Sequence, residues 1–313
     1  MRTFAVSALR EPPFPAGRHD STDQVARQSI EWARGFGLID SGQRLRRADV
    51  AGLAGRACPN GPVERLRLLC DLVAWLFVVD DACDEDGLGE APTRLAPTVA
   101  ALLDVLDRHG DPAAPVPTAA GPLGDALDDL CRRIRADGPP AMLLRFAAQV
   151  RDYLLALLWE AANRERERVP RLAEYVQMRR HTGAVGPSLT LTELALGGHP
   201  AAARRAEPAL VALDLLAMDL VCWCNDVFSY GKEQRSAPDG HNLVTVIARE
   251  TGGDEETALR AAADRFNDAL AAYLAAEATL LPDADAELRP ALVARRNWIR
   301  ATYDWSLVAA RYA

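Results

Sequence analysis

Aromatic residues make up only 6% of these 313 residues. No stretch reaches the roughly 18–20 consecutive apolar residues of a membrane-spanning helix, so no membrane span is expected. Positive charge is in deficit: the net charge of −8 argues against nucleic acid as a partner. Met1 to Phe14 lacks the apolar segment of a signal peptide, and the expected location is the cytoplasm. The six cysteines, at positions 58, 70, 83, 131, 222 and 224, show no paired framework and read as small buried hydrophobes of a reducing compartment. Cys222-Trp223-Cys224 has neither a histidine nor a second cysteine pair beside it, which argues against zinc. Strand-like alternation bounded by turn residues is also hard to find.

What the chain does have is helical periodicity in almost every ordered segment, and the expected fold class is all-α. With 49% hydrophobic and 26% charged residues it can bury a large core. Helices are predicted over about 21–37, 47–57, 62–81, 94–109, 123–136, 140–165, 171–184, 187–196, 203–233, 242–251, 254–280 and 286–311. Asp20-Ser21-Thr22-Asp23 marks the start of the first, and Gly253-Asp254-Glu255-Glu256 that of the penultimate one. Linkers are short except between Gly110 and Gly124, where the three prolines of Asp111–Pro117 forbid a helix. Length alone allows one large domain or two small ones. If the polar motifs on either side of that loop cooperate, residues 1–313 form one domain and the loop is a surface excursion.

Two motifs carry the chemistry. In Asn225-Asp226-Val227-Phe228-Ser229-Tyr230-Gly231-Lys232-Glu233, helical geometry puts Asn225, Ser229 and Glu233 at i, i+4 and i+8 on one stripe. An amide oxygen, a hydroxyl and a carboxylate suit a hard cation such as Mg²⁺, which keeps open positions for water and substrate phosphate. Upstream, an apolar run ends in Asp80-Asp81-Ala82-Cys83-Asp84-Glu85-Asp86. Asp80 and Asp84 share a helical face with Asp81 beside them, a like-charge arrangement that a bound divalent cation would relieve. Taken alone, this cluster reads equally well as a solvated acidic helix end.

A third feature is Arg179-Arg180-His181-Thr182-Gly183-Ala184-Val185-Gly186-Pro187, where two glycines and a proline interrupt a helical pattern and predict a break near 183–186. By itself it is a helix-to-helix turn. Arg179, Lys232 and Arg311 are suitable donors for phosphate oxygens, and Tyr312 offers one more, though surface ion pairs and a frayed end explain them too.

Together these motifs resemble the class I terpene synthases in their bacterial single-domain form, and the resemblance spans nearly the whole chain. Asp80-Asp81-x-x-Asp84 is followed about 140 residues later by Asn225-Asp226-x-x-Ser229-x-x-Lys232-Glu233. Pro13-Phe14-Pro15 and Trp32…Gly37-Leu38 look like the family's amino-terminal segment. Arg179 stands 46 residues before Asn225 (225 − 179), where the family has its diphosphate-sensing arginine; Thr182 and Gly183 match its linker and effector positions, and Arg311-Tyr312 its terminal pair.

The resemblance implies a helical bundle around a central cavity, an Mg²⁺-dependent ionisation of a linear prenyl diphosphate, and steering of the carbocation to a cyclic hydrocarbon or alcohol. It implies three Mg²⁺ ions, two on the side of Asp80, Asp81 and Asp84 and one held by Asn225, Ser229 and Glu233. Arg179, Lys232, Arg311 and Tyr312 would bind the diphosphate, and the Gly183 carbonyl would face the nascent cation. Phe77 and Trp305 match positions where the family places rings, whose faces attract a cation; core packing explains Phe77 as well. Trp75, Trp159, Trp223 and Trp298 read as packing residues. The partner is a small prenyl diphosphate, the chain a monomer or homodimer.

Three departures stand out. Gly231 weakens its helix without altering the ligand set. Thr182 occupies a position where Asp is frequent, and Cys58-Pro59 one where an aromatic-Pro pair is common. The resemblance makes farnesyl diphosphate the default substrate, and the last departure predicts a wider cavity wall that, with the low aromatic content, leaves room for geranylgeranyl diphosphate as the alternative. A chain-elongating prenyl synthase would carry a second Asp-rich motif in place of Asn225, Ser229 and Glu233. A non-enzymatic helical scaffold would give no reason for these oxygen ligands and arginines to recur at these spacings.

Overall fold

The computed structural model describes residues 2–111, 121–236 and 240–312, and leaves aside the side chains at 2, 3, 235, 236 and 312. Fifteen α-helices and no strand occur among the described residues: α1 (Arg2–Ala8), α2 (Thr22–Gly35), α3 (Gln43–Ala48), α4 (Val50–Ala57), α5 (Val63–Asp84), α6 (Pro92–Gly110), α7 (Gly121–Asp137) and α8 (Pro140–Glu165), then α9 (Leu172–Thr182), α10 (Val185–Leu196), α11 (Ala202–Arg205), α12 (Pro208–Ser236), α13 (Leu243–Thr251), α14 (Glu255–Leu280) and α15 (Leu288–Val308), followed by a 3-10 turn at Ala310–Tyr312. The all-α expectation is met. From residue 112 to 120 the proline-containing linker lies outside the described residues.

Local chemistry explains many of the boundaries. Pro92 and Pro140 open α6 and α8 at positions where a missing N–H costs nothing. Asn242 and Asp254 cap α13 and α14 by accepting from Val244 N (2.9 Å) and Thr257 N (2.8 Å). Gly197 and Gly252 close α10 and α13 in the left-handed region that glycine enters freely.

Four boundaries differ from the sequence expectation. A short helix, α1, precedes the first predicted one, and Asn267 of α14 ties down its end by donating to Ala8 O at 2.9 Å. The segment 47–57 is two helices, because Asp49 adopts φ 49° and Trp305 Nε1 donates to both Ala48 O (2.9 Å) and Asp49 O (3.1 Å) at the bend. The segment 203–233 divides at Pro208, the first residue of α12. The break after Thr182 is made by Ala184, at φ 50°, and not by either glycine or by Pro187, which sits in the first turn of α10 where no helical N–H is needed.

A single cluster of buried apolar side chains runs from Ala5 to Ala309. The amino-terminal Pro13-Phe14-Pro15 segment is strapped to α15, with Arg300 Nη1 donating to Pro12 O (3.0 Å) and Phe14 O (3.3 Å) and the Phe14 ring meeting Tyr273 edge-on at 5.9 Å. All six cysteines are buried and unbridged. Away from the cavity, Glu193 of α10 is 1% exposed and gathers three arginines: Arg145 of α8 at 2.6 Å, Arg205 of α11 at 2.5 Å and Arg295 of α15 at 2.9 Å. No helix among the described residues is long and apolar enough to cross a membrane.

Candidate active site

Helices α4, α5, α8, α9, α10, α12, α13 and α15 contribute to the wall of a cavity of about 830 Å³. Its deep part is apolar, lined by Leu53, Val73, Leu76, Val185, Val221 and Trp298, and its mouth is polar. On one side α5 continues helical through Asp84, which brings Asp80 and Asp84 to the wall. Across from them α12 presents Asn225, Ser229 and Glu233 on the stripe that the spacing predicted. The two motifs do meet over one space.

Asp81 is placed differently. It is buried and does not line the cavity; its carboxylate takes Arg311 Nη1 at 3.3 Å, while Arg311 Nη2 reaches Asp80 at 3.2 Å. Asp84 pairs with Arg164 of α8 at 2.5 Å, and Lys232 Nζ with Glu85 at 3.2 Å. The Arg311 guanidinium lies 5.0 Å from the centre of the Phe77 ring, and that ring meets Trp305 edge-on at 6.1 Å. Both rings line the cavity. The side chain of Tyr312 lies outside the described residues.

Arg179 is held by Asn225 and Asp226. Its Nη2 donates to Asn225 Oδ1 at 2.9 Å, its Nε to Asp226 Oδ1 at 3.0 Å, and Asp226 also accepts from Tyr175 Oη at 2.6 Å and Leu243 N at 3.3 Å. Burial alone would lower the guanidinium's pKa, but Asp226 and Tyr175 outweigh it and keep the group well above its ordinary value. The neighbouring Arg180 turns away and makes a bidentate pair with Asp219, both bonds 2.7 Å.

Glu233 is braced by Asn242 Nδ2 at 2.8 Å, which also donates to Asp226 O at 3.0 Å. Burial, reinforced by Asp226, pushes the Glu233 carboxyl up to about 7. A divalent cation would reverse that shift and favour the carboxylate. Among the described residues no three His, Cys, Asp or Glu side chains converge as a ready-made metal site. The donors present are all oxygens, few on each side and facing a shared space, which fits a hard cation completed by phosphate.

One expectation needs correction. Cys58 is fully buried and absent from the cavity wall, with its thiol turned toward Gly61, so it does not widen the cavity. Gly183 lines the cavity, but a Cβ there would stand 2.5 Å from Cys222 Sγ of α12; the lack of a side chain serves close helix approach. The Thr182 residue also lines the cavity, with its hydroxyl sealed and unpartnered. Sequence reasoning gave no role to Tyr175, Asp226 or Asn242. Tyr175 stands one turn before Arg179, a spacing at which side chains of one helix meet, and Asp226 directly follows Asn225 in the motif.

The model of terpene synthase family 2, C-terminal metal binding, matches residues 71–272. The (+)-T-muurolol synthase of Roseiflexus castenholzii, named as cyclising (2E,6E)-farnesyl diphosphate, is 36% identical over 96% of this chain and 92% of its own. The 4-epi-cubebol synthase of Streptosporangium roseum, named as cyclising the same diphosphate, is 32% identical over 96% and 90%. Among solved structures, a variant of cucumene synthase superposes with a TM-score of 0.85 at 25% identity, over 97% of this chain and all of its own. An α-eudesmol synthase shares the fold, with a TM-score of 0.84 at 22% identity over 96% and 99%. The chain therefore belongs to terpene synthase family 2 and is a metal-binding terpene synthase.

Proposed function

We propose that the protein ionises farnesyl diphosphate with the help of Mg²⁺ and cyclises the cation to a sesquiterpene hydrocarbon or alcohol, releasing diphosphate. The observation that carries this reading is the single cavity in which Asp80 and Asp84 face Asn225, Ser229 and Glu233 above an apolar chamber. The relatives named as farnesyl diphosphate cyclases support the chain length. Cys58, a feature that favoured a C20 substrate, lies off the wall.

Asp80, Asp84, Asn225, Ser229 and Glu233 would hold three Mg²⁺ ions, with Asp81 acting through Arg311. When bound, the metal supplies Lewis-acid stabilisation of the departing diphosphate. Arg179, preset by Asp226, offers its remaining N–H groups to phosphate oxygens, and Arg311, Lys232 and Tyr312 add donors at the mouth. Phe77 and Trp305 line the space where positive charge would develop, and they carry no nucleophile. Gly183 brings backbone rather than side chain to the wall, so its carbonyl can face the cation. The apolar walls exclude water during cyclisation. Residues 1–313 act as one catalytic domain, monomeric or homodimeric, and six buried thiols fit the cytoplasm.

Incubation of the purified protein with Mg²⁺ and geranyl, farnesyl or geranylgeranyl diphosphate, followed by gas chromatography, tests this. The expected result is a cyclic product from the C15 substrate that disappears with EDTA. Turnover of the C20 substrate alone would overturn the chain length, and no diphosphate release from any of them the whole reading.

A further inference from the structure

Most polar side chains on the cavity wall are bonded within the protein. Trp298 Nε1 donates to Thr192 Oγ1 (2.7 Å), Ser188 Oγ to Ala184 O (2.9 Å), and Asn163 bonds both Arg168 and His241. The hydroxyls of Thr182 and Thr302 have no partner, but they are sealed from any space. Tyr153 of α8 differs from both groups. Its side chain is 2% exposed and lines the cavity, yet its hydroxyl makes no hydrogen bond among the described residues and is not sealed. A buried phenol normally finds a partner, and one open only to a cavity points to something bound there.

The ring is held in place. It meets Trp75 edge-on at 6.4 Å, and Trp75 is itself fixed by donating to Leu123 O at 2.9 Å. Burial first, then the charges of Asp80, Glu160 and Asp84, raise the phenol well above its ordinary pKa, so it stays protonated and acts as a donor. Tyr153 lines the same cavity as Asp80, Asp84 and Glu160. A prenyl chain has no hydrogen-bond acceptor; the acceptors of such a substrate are its diphosphate oxygens.

We propose that Tyr153 is a further substrate-binding residue, whose phenol O–H donates to a diphosphate oxygen of the prenyl substrate. This rests on the proposed function above. The bond would strengthen as negative charge develops on the leaving group, so it would assist ionisation as well as binding.

Tyr153→Phe removes one oxygen and no bond within the protein. The binding of inorganic diphosphate in the presence of Mg²⁺, followed by calorimetry, should weaken about tenfold to a hundredfold, the usual effect of a hydrogen bond to a charged group. The kcat with farnesyl diphosphate should fall by at least as much while Tm stays unchanged. Diphosphate affinity equal to wild type would overturn the proposal. So would unchanged affinity together with a lower ratio of alcohol to hydrocarbon products, which would make the phenol a water-holding group instead. If the wild-type protein binds no diphosphate with Mg²⁺, the functional reading itself falls; normal wild-type binding with an unaffected Phe variant removes the role of Tyr153 alone.

Discussion

Asp226→Asn tests whether Arg179 is aimed by its buried partner. Asp226 is 1% exposed and takes hydrogen bonds from Arg179, Tyr175 and Leu243, while the Arg179 side chain is 16% exposed. Removing one partner of a buried ion pair destabilises by about 3–5 kcal/mol, because the remaining charge keeps its desolvation penalty. Asparagine still offers an oxygen to Tyr175 and Leu243, which places the expected loss near the lower end, about 3 kcal/mol. At about 2–3 °C per kcal/mol for a domain of this size, Tm should fall by roughly 6–9 °C. The kcat/KM for farnesyl diphosphate should fall at least about tenfold, since the guanidinium loses the bond that orients its fork. Thermal unfolding and steady-state kinetics of Asp226→Asn, Arg179→Met and the double variant measure both effects. The double variant should lose about 2 kcal/mol less than the sum of the single ones, as residues in one network do. A wild-type Tm in Asp226→Asn, or additive losses in the cycle, would refute the reasoning.

Gly183→Ala should destabilise by about 1–3 kcal/mol through the contact with Cys222, and Cys222→Ala in the same chain should restore most of the loss, as denaturant unfolding of the three variants would show. Cys58→Phe should lower Tm by overpacking the core while leaving the ratio of C15 to C20 turnover unchanged; a shift toward C15 would put Cys58 back on the wall. Glu174 accepts hydrogen bonds from Arg168 and Trp159, and these hold its carboxyl down from 4.5 to about 2. Its contribution is therefore complete above about pH 4.5 and is lost as pH falls toward 2. With about a third of the side chain exposed, screening reduces the contribution to about 1 kcal/mol. Urea unfolding of wild type and Glu174→Gln should differ by that amount at pH 6 and converge as pH approaches 2.

The helical spacing of Asn225, Ser229 and Glu233 was legible because α12 is regular there, and side-chain direction on a regular helix follows from sequence distance alone. The same logic put Asp80 and Asp84 on one face, and Asp81, about 100° around the helix, turned out to point elsewhere. The bends were less legible. Asp49 and Ala184 take left-handed conformations without being glycine, and long-range contacts, such as that of Trp305 with Ala48 and Asp49, accompany the first. Glycines and Pro187 drew attention to the right neighbourhood of the α9–α10 break and to the wrong residue within it. Cys58 was misplaced for a similar reason: position in the chain does not say whether a side chain faces a cavity or the core behind it. The bracing of Arg179 by Asp226, itself held by Tyr175, and of Glu233 by Asn242 draws on α9, α12 and the cap of α13, and only α9 and α12 carried a signal for it.

The three arginines on Glu193 give α10 a mechanical asymmetry. One end is tethered through ion pairs to α8, α11 and α15, and the other begins at Ala184, whose left-handed conformation is held at a cost of about 1–2 kcal/mol. Twelve residues make the helix a lever about 18 Å long, pivoted at its distal end. A tilt of about 5° about that pivot carries the Ala184 end roughly 1.5 Å across the chamber wall. A rotation about the anchored end would thus displace the wall at Ala184 more than it displaces Glu193.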